Sequence, residues 1–486
     1  MKICHLAVLL AALGGMATLP ACSVNPATGE QMFSLMSLDE ERSIGAEEHP
    51  KILAEFGGAY DNPKVAAYVQ QLGDRLAAAS EMPDLKFTFT VLDSPIVNAF
   101  ALPGGYVYIS RGLMVVARNE AELAGVVGHV IGHVVARHSA QRYTAAVGAG
   151  VGSQILGIFL GGVAAQAATP LLQGALASYS RDQELEADTL GVRYIARAGY
   201  QTRAMADFLA QMEEFAKLEA RLSGEADPAE RYNIMSTHPR TQARVQQAVA
   251  AANVGQTSGA RTGATEYLRA IDGMTFGESD HEGLVRGRAF YHRPLNFHFT
   301  VPDGFRMTNT PTQVVAKGPN GSAILFSGGP KGYRGAMTAY IRDVWAARGQ
   351  LSGLERIDIN GMEAGTATTR VNVGGRTMDA RFVAIRYAQD QIYRFVMLTQ
   401  PGDTARLSVP MREATYSFRQ MTAAERESVR PRRIALRTVE PGMDVAHFAR
   451  QMQVDAAPEE WFRVINGLIV PGEQPPAGQS VKIVVQ

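Results

Sequence analysis

A helical segment from about residue 119 to 140 places two histidines inside an otherwise apolar stretch. His129 and His133 are four residues apart, so on a helix they lie on one face, about one turn from each other. Leucine, valine and isoleucine at positions 123, 126, 127, 130, 131 and 134 form an apolar stripe on the same helix. Burying two imidazoles there without partners would be unfavourable. A chain with this segment must therefore fold so that polar groups or a metal ion reach both histidines.

The spacing of the two histidines is also half of a zinc site. Hydrolases that use it need a third protein ligand and leave the fourth position to water. The general base is normally the glutamate of an H-E-x-x-H motif, directly after the first histidine. In this chain Val130 occupies that position. Taken alone, the pair could equally be a chance feature of the helix.

A second motif lies about fifty residues downstream, in "SYSRDQELEADTLG". Glu184 and Asp188 are four residues apart and so share one helical face. Together the two motifs resemble the gluzincin zinc metallopeptidases of the HtpX and BepA/LoiP type, which combine an H-E-x-x-H helix with a downstream S-R-x-x-E-x-x-A-D helix. The resemblance implies that His129, His133 and Glu184 hold one Zn²⁺ per chain. It also implies that Asp188 orients a histidine ligand.

Two further blocks extend the resemblance over roughly residues 25–250. The stretch "NAFALPGGYVYISRGL" is similar to the family's edge strand, along which an extended peptide can pair. The implied substrate-strand residues are Asn98, Ala99, Phe100, Gly104 and Gly105.

The block "STHPRTQAR" also matches the family. In some relatives its histidine approaches the metal, which here implies His238, and Arg244 belongs to the same block. The alternatives are a helix N-terminal cap at the "THP" sequence and a surface salt bridge for Arg244.

Val130 changes what the site can do. Valine cannot accept a proton, and the loss of a general base typically lowers a rate by about 10²–10⁴-fold. Glu122 is two turns away, about 10 Å along the axis, which is too far to replace it. Metal and peptide binding should survive, whereas hydrolysis should be nearly absent. Either a glutamate at this position was changed recently or deliberately, or the chain is a naturally silent relative; the remaining site residues favour the first interpretation.

The N-terminus reads as a targeting segment. Residues 1–21 contain Lys2, an apolar run and small residues, which is typical of a signal peptide. "LPAC" resembles the lipobox of bacterial lipoproteins, which implies lipidation of Cys22, and Ser23 after it favours the outer membrane. The alternative is an ordinary secreted protein. The chain has two cysteines, Cys4 and Cys22, so the mature protein is expected to contain no disulfide and no thiolate ligand.

The sequence predicts an α+β protein of several domains. A tether at 22–36 leads to a mostly helical, zincin-like metallopeptidase domain with a small edge-strand sheet. A linker, a sheet-rich α/β sandwich and a small LysM-like βααβ unit follow it. The predicted ranges are 37–254 for the metallopeptidase domain, 255–284 for the linker, 285–425 for the sandwich and 433–486 for the LysM-like unit. The uncharged stretch 143–177 is expected to cover the site as buried or mobile helices, with a second membrane span as the alternative.

The C-terminal regions say less about function. "VEPGMDVAHFARQM" and the closing "AGQSVKIVV" resemble a LysM module, a unit that often binds peptidoglycan, but "PGMDV" departs from the usual P-G-D-T. A small packing domain without a ligand is the alternative. The sandwich region is similar to PsbP/Mog-like folds, which implies no ligand.

The sequence thus predicts an outer-membrane lipoprotein that faces the periplasm and is a zinc metalloendopeptidase by family. Its expected substrates are unfolded or misassembled envelope proteins. The alternative is a non-catalytic chaperone or cell-wall adaptor that keeps zinc as a structural clip. Lysine plus arginine equals aspartate plus glutamate at 47 each, so the composition does not favour a nucleic-acid partner.

Overall fold

The computed structural model describes most of the chain. The described residues are 22–34, 36–148, 179–223, 238, 244, 250, 259–310 and 312–486. The predicted signal peptide and the greater part of the uncharged stretch 143–177 lie outside them. Among the helices that are described, none has both the length and the apolar character needed to cross a membrane.

Helices dominate the first half of the chain and are short in the second half. They are α1 (Leu38–Glu55), α2 (Pro63–Ala78), α3 (Arg111–Val116), α4 (Glu120–Val135), α5 (His138–Gly148), α6 (Arg181–Arg197), α7 (Arg203–Ser223), α8 (Ala264–Ile271), α9 (Met337–Ala339, continued by a π-helical turn over Tyr340–Trp345), α10 (Thr404–Tyr416), α11 (Ala423–Ser428), α12 (Val445–Ala449) and α13 (Pro458–Asn466).

Strands are concentrated between residues 284 and 400. They are β1 (Cys22–Val24), β2 (Gln31–Phe33), β3 (Thr88–Leu92), β4 (Ala99–Leu102), β5 (Tyr106–Ser110), β6 (Thr275–Phe276), β7 (Leu284–Arg286), β8 (Ala289–His292), β9 (Phe297–Thr300), β10 (Arg306–Asn309), β11 (Gln313–Lys317), β12 (Ala323–Gly328), β13 (Ser352–Ile359), β14 (Met362–Val373), β15 (Arg376–Ala388), β16 (Gln391–Thr399), β17 (Arg419–Gln420), β18 (Arg432–Thr438) and β19 (Ser480–Val485). The chain is therefore α+β, as the sequence predicts.

Local sequence signals explain where the first helices begin. Ser37 caps α1: its hydroxyl accepts from the backbone N–H of Glu40, and the Glu40 side chain accepts from the backbone N–H of Ser37. This capping box satisfies two of the helix's otherwise unpaired donors. Asn62 caps α2, with Pro63 in the first turn. Both helix starts follow from these local residues.

The first domain packs helices around a small sheet and one central helix. The sheet has the order β3–β5–β4, with β3 parallel and β4 antiparallel to β5, so β4 is an edge strand. Every residue of α4 is buried, because α2, α6, α7 and β4 pack around it. The apolar stripe predicted from the sequence therefore lies in the core, and the two histidines are buried with it.

The middle region forms two antiparallel sheets around an aromatic core. The larger sheet has the order β10–β11–β12–β16–β15–β14–β13, and the smaller one β17–β9–β8–β7. Phenylalanines from both sheets meet with residues of α10 in one buried cluster. The phenylalanines are Phe290, Phe297, Phe299, Phe305, Phe326, Phe395 and Phe418.

The C-terminal strand–helix–helix–strand unit shares a core with the first domain. Buried residues of β18, β19, α12 and α13 belong to the same hydrophobic cluster as those of α2, α4 and α7. The buried Lys482 donates to the carbonyl oxygens of Val115 and Ala117, each at 2.7 Å. Gln211 bridges the carbonyl oxygens of Val116 and Val464 at 2.6 and 2.8 Å. The two ends of the chain are therefore joined by packing and by buried hydrogen bonds.

The stretch 255–284 differs from the expected linker. From residue 259 onward it contains α8 and β6, and β6 pairs with β18 of the C-terminal unit. Tyr267 and Ile271 of α8 are fully buried. The Gly- and Thr-rich sequence suggested an irregular segment, but two apolar side chains one turn apart are enough to dock a short helix on the core.

The shared core predicts that a cavity in the C-terminal unit destabilises the first domain. Phe462→Ala removes a fully buried ring, which should lower the free energy of unfolding by about 3–5 kcal/mol. We expect the thermal transition that melts the first domain's helices to shift down with it. Phe418→Ala, equally buried in the separate core of the middle region, is the matched control. Independent melting of the C-terminal unit, with the first domain unchanged, would contradict a common core.

Candidate metal centre

A close crossing of α4 and α6 brings the two sequence motifs together. Small residues line the crossing on both helices: Gly128 and Gly132 on α4, Ala187 and Gly191 on α6. A Cβ atom on Gly191 would lie 2.9 Å from the backbone nitrogen of His129, and one on Gly132 would lie 3.1 Å from the carbonyl oxygen of Ala187. Larger side chains would push the helices apart, so this contact depends on the missing Cβ atoms.

Four side chains converge at this crossing, and all four are buried. The Nε2 atom of His129 lies 3.1 Å from Nε2 of His133 and 3.1 Å from Nδ1 of His238. Glu184 Oε1 lies 2.8 Å from His238 Nδ1 and 3.3 Å from His133 Nε2. One nitrogen or oxygen from each residue falls within 4.8 Å of all the others. The structure thus brings together His129, His133, Glu184 and His238.

The outer nitrogens of the imidazoles fix where their protons are. His129 Nδ1 lies 2.8 Å from the carboxylate of Asp188, which favours a proton on Nδ1. His138 donates from Nε2 to Glu186 at 3.2 Å, which leaves its Nδ1 to accept from His133 Nδ1 at 2.8 Å. In neutral His129 and His133, the Nε2 lone pairs therefore face each other and the Glu184 carboxylate. Such an arrangement is repulsive unless a cation lies between the groups.

The spacing of the donor atoms fits a zinc ion. A tetrahedral site with zinc–ligand distances of 2.0–2.1 Å separates its ligand atoms by about 3.3–3.4 Å. The closest donor pairs in the cluster are separated by 2.8 to 3.7 Å. Imidazole nitrogen and carboxylate oxygen are also donors that zinc prefers. The four residues are therefore a suitable zinc-binding set.

The protonation states agree with metal binding. Burial lowers the pKa of His133 well below its usual value and also lowers the pKa of His238, so both stay neutral near pH 7. Burial alone would raise the pKa of Glu184, but the neighbouring imidazoles of His238 and His133 hold it well below the usual range. Neutral histidines and an ionised glutamate are the forms that bind metal.

Arg244 and Asp188 support the cluster from one side. Arg244 makes a bidentate pair with Asp188, with Nε–Oδ2 and Nη2–Oδ1 distances of 2.7 and 2.8 Å. Its Nη1 also lies 2.6 Å from Oε2 of Glu184 and donates to the carbonyl oxygen of His238. Because Arg244 is only 2% exposed, the alternative of a surface salt bridge is wrong. Its guanidinium connects Glu184 and Asp188 of α6 with the backbone of His238.

Val130 lies in the core beside His129 and offers no group that can take a proton. It is 1% exposed and belongs to the main hydrophobic cluster. Glu122 is engaged elsewhere: its carboxylate accepts from the backbone N–H of Arg118 at 2.7 Å and pairs with the same residue's guanidinium. Asp188 is held by His129 and Arg244. None of the carboxylates considered in its place is available as a base.

The predicted substrate-strand residues form the edge strand and its turn. Ala99 and Phe100 lie in β4, and Gly104 and Gly105 follow in the turn with φ of 78° and 90°, where glycine is favoured. The Phe100 ring stacks on Tyr108 inside the domain, so this side chain does not face a peptide added to the strand. Asn98, just before β4, is buried, and its side-chain amide has no hydrogen-bond partner among the residues that the structure describes.

Sequence reasoning missed several residues around His133. Tyr179 stacks on the His133 ring with centroids 3.9 Å apart, and its hydroxyl lies 3.2 Å from that of Ser139. His138 and Glu186 contact each other, and Asn25 donates to Glu186 at 2.8 Å. His138 lies five residues after His133, just beyond the end of α4, so the H-x₄-H spacing was a signal that could have identified it.

Comparison with known proteins assigns the helical domain. A sequence profile of peptidase family M48 matches residues 63–252, the range that contains all four clustered residues. Over these residues the chain is similar to peptidase family M48. M48 is a metallopeptidase family, so this similarity agrees with the family resemblance of the two motifs.

Individual relatives support the same assignment. The chain is 31% identical over 247 residues to the beta-barrel assembly-enhancing protease of Yersinia pestis, which covers 48% of each chain. It is 29% identical over 225 residues to the mitochondrial metalloendopeptidase OMA1 of Schizosaccharomyces pombe, which covers 45% of this chain and 63% of the relative. The chain thus spans about half the length of the bacterial relatives it matches.

The middle region has a weaker likeness. The solution structure of a cyanobacterial PsbP protein from Synechocystis sp. PCC 6803 aligns with 29% of this chain and 98% of its own, with 15% identity and a TM-score of 0.23. This likeness is too low to indicate a function. The PsbP-like and LysM-like assignments stay predictions.

Removing the carboxylate ligand should abolish tight zinc binding. Glu184→Gln keeps the shape of the side chain but removes its charge, so we expect zinc affinity to fall by more than about 100-fold, beyond the effect of losing a supporting hydrogen bond. Competition with a chelating dye measures this. Glu213→Gln, on the outer face of α7, is the control and should bind as the parent does. Equal affinity in both variants would exclude Glu184 as a ligand.

The metal-free protein should lose stability below pH 6.5. The pKa of His238 is lowered in the folded state, so below about 6.5 the unfolded chain binds more protons than the folded one. The free energy of unfolding then decreases as pH falls. In urea titrations, His238→Gln should reduce this dependence by at most about 1.4 kcal/mol per pH unit. An identical slope in parent and variant would show that His238 is not buried in the neutral form.

Proposed function

We propose that the M48 domain of this chain is a zinc metalloendopeptidase site that has lost its general base. His129, His133 and Glu184 are the proposed ligands of one Zn²⁺ per chain. The observation that carries the proposal is the convergence of these residues from two distant segments, with their lone pairs and charge directed at one point. A surface histidine pair formed by chance would have no buried carboxylate between its rings.

The residues around the cluster have separate roles in this proposal. Bound zinc supplies a Lewis acid and lowers the pKa of water. Asp188 holds the proton of His129 on Nδ1 and so directs Nε2 inward, and Arg244 holds Asp188 and Glu184 in place. Val130 cannot accept the proton that hydrolysis must remove, so the domain keeps its binding geometry and lacks the transfer step.

The edge strand β4 is the proposed place for the substrate. An extended peptide can add to it because β5 pairs with only one of its edges. The Asn98 amide, buried at the start of β4 and without a partner among the described residues, is able to bind a peptide backbone group. Recognition through backbone hydrogen bonds suits unfolded chains of varied sequence.

The proposed substrates are unfolded or misassembled envelope proteins. This rests on the names of the bacterial relatives, which are beta-barrel assembly-enhancing proteases. We further propose that cleavage before Cys22 and its lipidation anchor the protein in the outer membrane, facing the periplasm. The signal-like residues 1–21 and the "LPAC" sequence support this location.

For the C-terminal unit, packing has more support than glycan binding. The loop that begins at Gly467 lies against the first domain: a Cβ atom there would be 2.1 Å from Cδ of Arg118. Lys482 is buried in the same contact, where burial lowers its pKa to about 7. Peptidoglycan binding would have to use the surfaces of this unit that remain exposed.

A second candidate function is a non-catalytic adaptor that keeps zinc as a structural clip. Two observations favour it: Val130 stands in place of the base, and His238 contributes a fourth donor. Structural zinc sites have four protein ligands, whereas catalytic sites leave one position open. In this candidate, β4 binds client chains without cutting them.

Restoring the base distinguishes the two candidates. In the full chain loaded with zinc, Val130→Glu should raise cleavage of an unfolded reporter protein by about 10²–10⁴-fold. Val130→Gln is the matched control, since it has the same length and no basic carboxylate. A chelator should abolish the regained cleavage. A folded, zinc-loaded Val130→Glu protein that cleaves no faster than Val130→Gln would favour the adaptor.

A further inference from the structure

A chain of hydrogen bonds leads from the cluster to the N-terminal end of the described chain. His133 donates to His138 at 2.8 Å, His138 donates to Glu186 at 3.2 Å, and Asn25 donates to the other oxygen of Glu186 at 2.8 Å. His133 and His138 are 1% exposed and Asn25 is 6% exposed. The Glu186 side chain is 28% exposed, so the contact between the two histidines forms inside the protein and the carboxylate lies at the edge of the buried region.

In each of these three hydrogen bonds, the chemistry of the groups fixes which one donates and which one accepts. The Asn25 amide nitrogen is a donor and an ionised Glu186 only accepts, so His138 must present Nε2–H to the carboxylate. The remaining nitrogen of neutral His138 then accepts from Nδ1–H of His133. This leaves the lone pair of His133 on Nε2, where it faces Glu184. Asn25 thus influences the orientation of the His133 ring through the side chains of Glu186 and His138.

Asn25 is itself held in place by its own segment. Its Oδ1 accepts from the backbone N–H of Ala27 at 2.9 Å, and its backbone N–H donates to Glu30 at 2.8 Å, which closes the β1–β2 hairpin. Further along, Met36 and Glu41 accept from the guanidinium of Arg137, each at 2.6 Å. Arg137 lies two residues after the end of α4 and adopts a positive φ of 56°. The segment 22–41, here called the N-terminal strap, therefore contacts both α6 and the residues that follow the end of α4.

We propose that Asn25, Glu186 and His138 are positioning residues for His133, and that the N-terminal strap is part of the metal centre. The inference rests on the proposed zinc site. The strap starts at Cys22, directly after the predicted leader, so it does more than connect a membrane anchor to the domain. It fixes the tautomer and the ring orientation of one ligand, and hydrogen-bonded partners of this kind typically change metal affinity by about 10–100-fold.

The test measures metal affinity in the full chain, without reference to proteolysis. Zn²⁺ affinity is obtained by competition with a chelating dye, and Co²⁺ bound in place of zinc reports ligand geometry through its visible absorption. His138→Leu should weaken Zn²⁺ binding by about 10–100-fold and alter the Co²⁺ spectrum. His138→Asn, whose side-chain oxygen can occupy the position of Nδ1, should restore part of the affinity.

Two milder variants test the outer members and do not depend on His138. Glu186→Gln removes the charge that fixes the His138 proton. Asn25→Asp keeps the acceptor for Ala27 but replaces the donor to Glu186 with a second carboxylate. Both should weaken Zn²⁺ binding several-fold while the metal-free proteins keep the parent's circular dichroism spectrum.

Gln183→Ala is the matched control, because Gln183 completes the capping box of α6 and bonds Gln141 but touches no member of this chain. It should destabilise the start of α6 and leave Zn²⁺ affinity unchanged. The proposal is overturned if His138→Leu, Glu186→Gln and Asn25→Asp bind Zn²⁺ within threefold of the parent, or if Gln183→Ala loses as much affinity as they do. A parent chain that binds no stoichiometric Zn²⁺ would instead refute the proposed function itself.

Discussion

The close contact between α4 and α6 is the constraint on which the rest of the site depends. Gly128, Gly132 and Gly191 let the two backbones approach until a Cβ atom would lie about 3 Å from the opposite chain. At that separation, one turn of each helix is enough to bring two imidazoles and the carboxylates of Glu184 and Asp188 into contact. Larger side chains at these positions would hold the two helices further apart.

The cost of burying these polar groups explains how many residues support them. A buried charge or an unpaired imidazole is unfavourable unless it is hydrogen-bonded or neutralised. Asp188 and Arg244 compensate each other on the side of His129, and Glu186 with His138 does the same on the side of His133. These supporting contacts are present although Val130 offers no group that can accept a proton. Val130 itself costs nothing in folding, since it joins the apolar stripe on its own helix.

The sequence predicted the parts of the site that depend on local spacing. His129 and His133, and Glu184 and Asp188, each follow a four-residue interval on one helix, so the helical period alone places each pair on one face. The roles of Asn25 and Glu186 could not be read in this way, because their contact joins positions 161 residues apart. The region 255–284 was expected to be a linker, but α8 packs on α2, α4 and β19, and β6 pairs with β18. These contacts join distant segments, so local spacing could not indicate them.

The pairing of β6 with β18 determines how the middle region is attached. Phe276 lies opposite Arg432 in this pairing, so the polypeptide leaves the first domain and returns to it through neighbouring strands. The two sheets between these points are topologically an insertion, and the polypeptide enters and leaves them through the paired strands β6 and β18. A cut in one of their loops would not release either half of the protein. The insertion could also be lengthened, exchanged or removed in related chains without separating the residues that surround the metal centre.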